Sequence, residues 1–101
     1  MSELRKPINL VGVGERAGSA TAVQLPSVAG SMILIKALAS NAGNVYLGGA
    51  GVTKANGTTD TTTGIELTPG DMTPWLPLSN LDNLYIICDN AGDDITYMVL
   101  G

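Results

Sequence analysis

"SMILIKALASNAGNVYLGGAGVT", residues 31–53, runs through a strand, a turn and a second strand. Ile33, Ile35 and Ala37 alternate with Met32, Leu34 and Lys36, which is the period-two pattern of a β-strand. Lys36 marks the second face as a rim or an edge. Residues 40–43, "SNAG", have turn composition, and Val45 and Leu47 then recur on one face as the chain returns. Gly48, Gly49 and Gly51 follow directly. Glycines there either cradle a phosphate or let a strand run out into a loop. The phosphate reading needs P-loop spacing and a following helix, whose N-terminus holds the anion. "GGAGVTK" lacks that spacing, and the polar, β-branched "ANGTTDTTT" is a poor helix.

The same β pattern extends outward in both directions. "SATAVQL" (19–25) places Thr21, Val23 and Leu25 on one face before Pro26 ends it. "GIELTPGD" (64–71) is a short strand closed by a Pro-Gly turn. In "MTPWLPL" (72–78), Pro74 and Pro77 remove backbone donors, so the segment suits a sheet edge. "NLYIICD" (83–89) and "DITYMVL" (94–100) read as two strands joined as a hairpin across "NAGD", with a short turn near 79–83. About seven short antiparallel strands, with turn signals every eight to twelve residues or so, predict an all-β chain. The expected fold is a single-domain β-sandwich, jelly-roll-like, over 19–101. Residues 1–18, "MSELRKPINLVGVGERAG", are charged and proline-interrupted at the start and read as an extended N-terminal arm. The loop over 49–63 is long for so small a domain, which marks it as mobile or functional.

Composition narrows the function. The 101 residues contain no Phe, and the core must come from Val, Ile, Leu, Met and Ala. Such a core gains from oligomerisation, which extends it across an interface. The net charge is −4, and the five basic residues (Arg5, Lys6, Arg16, Lys36 and Lys54) form no cluster able to neutralise a phosphate backbone, so direct nucleic-acid binding is not expected. Cys88 stands alone, which rules out an intrachain disulfide and a cysteine-based zinc site. No signal-peptide core and no apolar run of roughly 18 residues is present, so synthesis in the cytoplasm and no membrane association are expected.

The motifs that suggest chemistry fail their context tests. "GVGERA" (12–17) fits G-x-G-x-x-A, yet "GSATAVQLP" follows in place of a helix, and Ile35 and Lys36 stand where an acidic residue belongs. "DNAGDD" (89–94) resembles part of a calcium loop, but the bidentate Glu of the twelfth position is replaced by Leu100. A turn in which Asp side chains bond their own backbone explains those letters equally well. There is no His, Cys88 alternates with Leu84 and Ile86 as a core residue would, and Glu66 projects from a strand rather than pairing with Asp71. "NGT" (56–58) is an acceptor sequence for glycosylation without a secretion signal. No catalytic, cofactor-binding or metal residue is assigned, and the chain is not expected to be an enzyme. Trp75, with Leu76 beside it, is either a plug closing the sandwich or an anchor between subunits.

"ILIKALASNAGNVYLGGAGVT", "GIELTPGD" and "LSNLDNLYIICDNAGDDITYMVL" together resemble a group of small tailed-bacteriophage virion proteins. The shared order is a strand, an Asn-centred turn, an N-V-Y-x-G strand, a variable loop, a G-x-x-L-x-P-G turn and a closing hairpin. The resemblance covers residues 31–100. Within that group a chain with an N-terminal arm looks most like a capsid decoration (cement) protein. It implies a homotrimer on the outer capsid surface, partnered by the major capsid protein and stabilising the expanded head. Leu10, Val11 and Val13 would then be apolar capsid contacts and Arg16 an ion-pairing one. A tail, fibre-associated or head-tail component, or a glycan-binding attachment module, uses the same kind of β-module.

Overall fold

The computed structural model describes residues 8–54 and 63–101. Among the described residues there are seven strands: β1 (Leu10–Ala17), β2 (Val23–Gln24), β3 (Met32–Ala37), β4 (Val45–Gly48), β5 (Ile65–Leu67), β6 (Tyr85–Cys88) and β7 (Asp94–Leu100). A 3-10 turn, Leu81–Asn83, lies where the sequence allows one, capped by the Asn80 side chain on the Asp82 amide. The strands form two antiparallel sheets, a three-stranded one ordered β1-β7-β3 and a four-stranded one ordered β2-β6-β4-β5. The molecule is a small β-sandwich, as the alternation predicts.

The core lies between the sheets and follows from that alternation. Ile33, Ile35 and Ala37 of β3 face inward with Ile95 and Val99 of β7, against Val45, Leu47, Ile86 and Cys88 of the other sheet. Leu25, Leu67 and Leu81 close the sides. Tyr46 points away from this core yet is only 3% exposed, because the chain after Gly48 folds back and lays Val52 near it.

Two expectations change. Residues 83–100 do not form a hairpin, since β6 pairs with β2 and β4 while β7 pairs with β1 and β3. The turn at 89–93 instead carries the chain from one sheet to the other, and residues 38–44 make the same crossing between β3 and β4. A crossing suits the sequence better than a hairpin. Both β6 and β7 have strongly apolar faces, and only opposite sheets let both faces meet in one core. The second change concerns the arm. Residues 10–17 are an eight-residue strand of the three-stranded sheet, in register with β7 from Leu10↔Leu100 to Ala17↔Asp94. Residues 1–7 lie outside the described residues.

The two crossings meet at one end of the sandwich and are locked together. The Asp93 carboxylate, 1% exposed, accepts the amides of Ala42 (2.9 Å) and Gly43 (3.3 Å) on one oxygen. Its other oxygen accepts the Asn90 amide and side chain, both at 3.2 Å. Asn41 answers from the opposite turn, accepting the Asp94 amide (2.9 Å) and donating to the Asp94 carbonyl (2.8 Å). Asp89 accepts the Asn44 amide at 2.9 Å. A buried carboxylate is tolerable only when so fully bonded, and removing it strands amides away from water. Asp93→Ala is therefore expected to lower the unfolding free energy by about 3 kcal/mol or more. Urea denaturation followed by circular dichroism reads this, with the half-buried Asp82→Ala, whose carboxylate takes no amide among the described residues, as a milder comparison.

Candidate functional site

The sheet edges are not alike. β3 is closed by the proline-containing segment after β5. Ile33 exchanges hydrogen bonds with Leu76 (2.8 and 2.7 Å), the Thr73 amide donates to Ile35, and the Asp71 carbonyl accepts the Ala37 amide. Where Pro74 interrupts this irregular strand, the Thr73 hydroxyl replaces a carbonyl and accepts the Ile35 amide at 3.1 Å. The segment starts from a turn over Thr68–Asp71 in which Gly70 has φ +90°, the conformation that position requires of glycine. Its Asp71 carboxyl is held below the usual carboxylate range by hydrogen bonds from the Thr68 side chain and amide. "MTPWLPL" is thus an edge segment, as its prolines indicate. On the other sheet β2 has two residues and β5 three.

Among the described residues β1 is the long edge with no strand beside it. Its inner face carries Gly12 and Gly14, and this is the use of the "GVG" motif. Gly14 lies opposite Tyr97, and a Cβ there would meet the Tyr97 hydroxyl oxygen at 2.5 Å. A Cβ on Gly12 would press on Val28 at 3.3 Å. The glycines give up side chains so that neighbours can fill the narrow side of the sandwich. No helix follows them, so the dinucleotide reading has no structural basis.

The register shifts between Leu10 and Gly12, leaving Val11 as an extra residue in the ladder. The consequence is specific. Leu10 sits opposite Leu100 and Val13 opposite Met98, so both project from the same outer face despite their odd spacing. They are 60% and 59% exposed. Val11, at the bulge, is also exposed. Arg16 lies opposite Ile95, on the other face, and is half-buried. The four residues expected to act together are therefore split, with Leu10 and Val13 together and Arg16 apart from them.

Two of the three rows on the outer face of the three-stranded sheet are apolar. Cross-strand neighbours form rows: Leu10, Leu100 and Met32; then Val13, Met98 and Leu34; then Glu15, Thr96 and Lys36. Between Val13, Leu34, Met98 and Met72 lies a shallow groove of about 150 Å³. Sequence reading found the β1 residues of this face but missed Met32, Leu34 and Met98. Their alternation with inward residues was visible, but not that they stay only half-buried, with no further layer over them among the described residues.

Trp75 is 40% exposed, on the segment that closes β3, so it does not plug the core. Leu76 turns inward, half-buried against the core, and is bonded to Ile33. The two residues expected at one interface thus face different surroundings. Glu66 accepts from the Asn44 side chain and, at 3.5 Å, from the Tyr46 hydroxyl. Among the described residues no group of three or more His, Cys, Asp or Glu could hold a metal ion. In the stretch "DNAGDD", Asp93 has committed its oxygens to amides. The acceptor "NGT" and most of the 49–63 loop lie outside the described residues. Among those described, no helix is long and apolar enough to cross a membrane.

Cys88 is fully buried, with Sγ 3.7 Å from the Asp93 carbonyl. Burial pushes its thiol up to about 11, from an ordinary 9.0. Burial also raises the Tyr46 hydroxyl above its usual range. Groups with raised folded-state pKa stabilise the fold fully below their ordinary values, and that contribution is lost as pH rises through the folded ones. The urea midpoint is therefore expected to fall as pH rises from 9 towards 11. Cys88→Ala should flatten the lower part of that decline, although it weakens the fold at neutral pH.

No protein-family model matches the sequence, and no curated protein matches it either. Comparison with solved structures finds similarity to a protein of Bacillus endospore appendages, described as a novel family of disulfide-linked pili. Identity is 16% and the TM-score 0.44, over 98% of this chain and 93% of that one.

Proposed function

We propose that this chain is a non-enzymatic structural protein of a tailed-bacteriophage virion, a decoration protein that binds the outer surface of the capsid and stabilises the expanded head. The observation that carries the reading is the open β1 edge, eight residues long, with Leu10, Val11 and Val13 exposed along it. An edge strand presents alternate N–H and C=O groups without partners, and a segment of a capsid subunit can pair with them as an added strand. Backbone pairing supplies affinity there, and the exposed apolar side chains supply selectivity. The sequence resemblance provides the phage setting. The acidic balance fits a protein that meets the shell rather than the packaged DNA. A tail or head-tail component would use the same edge.

The partner on this reading is the major capsid protein, and the chain works as a homo-oligomer on the virion. Clamping several capsid subunits at once multiplies modest contacts into tight attachment. Arg16, half-buried on the inner face, is a weaker candidate for capsid ion pairing than Leu10 or Val13 for apolar contact.

The test is rebinding of purified protein to undecorated heads, scored by co-sedimentation. Binding to expanded but not unexpanded heads is expected, weakened at least tenfold or so by Leu10→Asp or Val11→Asp. Deleting residues 1–18 is a poor substitute, because it would strip β1 from β7 and uncover the core. Failure to bind heads in any state would overturn the proposal. Glycan-array binding abolished by Trp75→Ala would favour an attachment module instead.

A further inference from the structure

The edge of β1 points sideways from its sheet, whereas the apolar rows of the three-stranded sheet face outward at right angles to it. The two surfaces meet at β1, where Leu10 and Val13 border both, but the edge offers backbone groups and the face offers side chains. We infer that the outer face of the three-stranded sheet is the contact between two copies of this chain, packed face to face about a two-fold axis running along β7.

The pattern of the rows selects a second copy. A two-fold along the middle strand leaves each row at its own level and exchanges the flanking strands. Met98 then meets the partner's Met98, and Val13 meets the partner's Leu34, so apolar groups lie on apolar groups. The charged row is self-complementary under the same operation. Glu15 on β1 and Lys36 on β3 flank Thr96, so exchanging the outer strands sets each Glu15 over the partner's Lys36. Among the described residues no cation pairs with Glu15, and the bond between its carboxyl and that of Asp94 raises the Glu15 pKa. The arriving lysine would meet both carboxylates. No ion pair among the described residues engages Lys36. Its aliphatic stem lines the groove beside Met72, leaving the ammonium at the rim.

Size agrees with a weak dimer. Strands spaced about 4.8 Å apart and same-face residues about 6.8 Å apart give three strands and three rows a shared footprint of roughly 300 Å² per copy. Two such footprints fall below the roughly 1,200 Å² at which standard specific interfaces begin, so the expected association is weak, with a dissociation constant on the order of 100 μM. Two-fold pairing of this kind yields a dimer in place of the trimer that the sequence resemblance implies. It also leaves both β1 edges open, on opposite flanks of the pair.

Sedimentation equilibrium of the free full-length chain tests this without any capsid, so its outcome is independent of head binding. A monomer–dimer equilibrium is expected. Lys36→Glu and Glu15→Lys should each weaken it about tenfold, and the double exchange Glu15→Lys/Lys36→Glu should restore it, because the swap preserves complementarity only across this axis. Val13→Lys should give monomers with an unchanged circular dichroism spectrum. Should Val13→Lys fail to fold, the exposed Lys36→Glu carries the same test. A monomer at about 500 μM, a trimer, or charge variants whose effects add without rescue would overturn the inference.

Discussion

A single buried carboxylate decides how this chain becomes a sandwich. Asp93 sits in the turn between β6 and β7, and its oxygens collect amides both from that turn and from the turn between β3 and β4. Each turn carries its chain from one sheet to the other, so tying them together fixes the separation and orientation of the sheets at that end. The side chain does what no apolar contact could, because hydrogen bonds fix direction as well as proximity. Asn41 and Asp89 reinforce it from either side. Gly18 belongs to the same region, where any side chain would run into Cys88 and the Asp93 carbonyl.

With the sheets held in this way, the apolar alternation of β3, β4, β6 and β7 falls into one core. That part was legible in the sequence. Period-two patterning depends on local geometry, and Ile33, Ile35, Val45, Leu47 and Ile86 all point where their spacing says. The Pro-Gly turn at 69–70 and the edge character of 72–78 were legible for a similar reason, since proline and glycine act through their own backbone restrictions. Sheet membership was not. The letters "NAGD" suit a hairpin and an inter-sheet crossing alike, and the choice is made by Ala42 and Gly43, some fifty positions away in the chain.

β1 was misread for a related reason. Gly12 and Gly14 make the segment look too open for a strand, yet their missing side chains are filled by Val28 and Tyr97 from elsewhere in the fold. Glycine in a strand costs conformational entropy, and a large cross-strand neighbour recovers packing that a single strand cannot show. The bulge at Val11 was equally invisible. One extra residue puts Leu10 and Val13 on the same face, and only the partner strand reveals it. The contact candidates were therefore found by residue type and sorted by register.

An open strand edge beside an apolar face invites indiscriminate pairing, and the remaining question is what restrains it. The other edges are closed or short: β3 is covered by residues 70–76, and β2 and β5 have two and three residues. On β1 the bulge breaks the regular spacing of outward-pointing backbone groups at one end, and Glu15 and Arg16 place charges near the other. Only the middle of the strand offers an uninterrupted ladder. An incoming segment must match that short register and accommodate Leu10 and Val13 on one side only. An edge of this kind would discriminate by length and by face, the two restraints that selective strand addition needs.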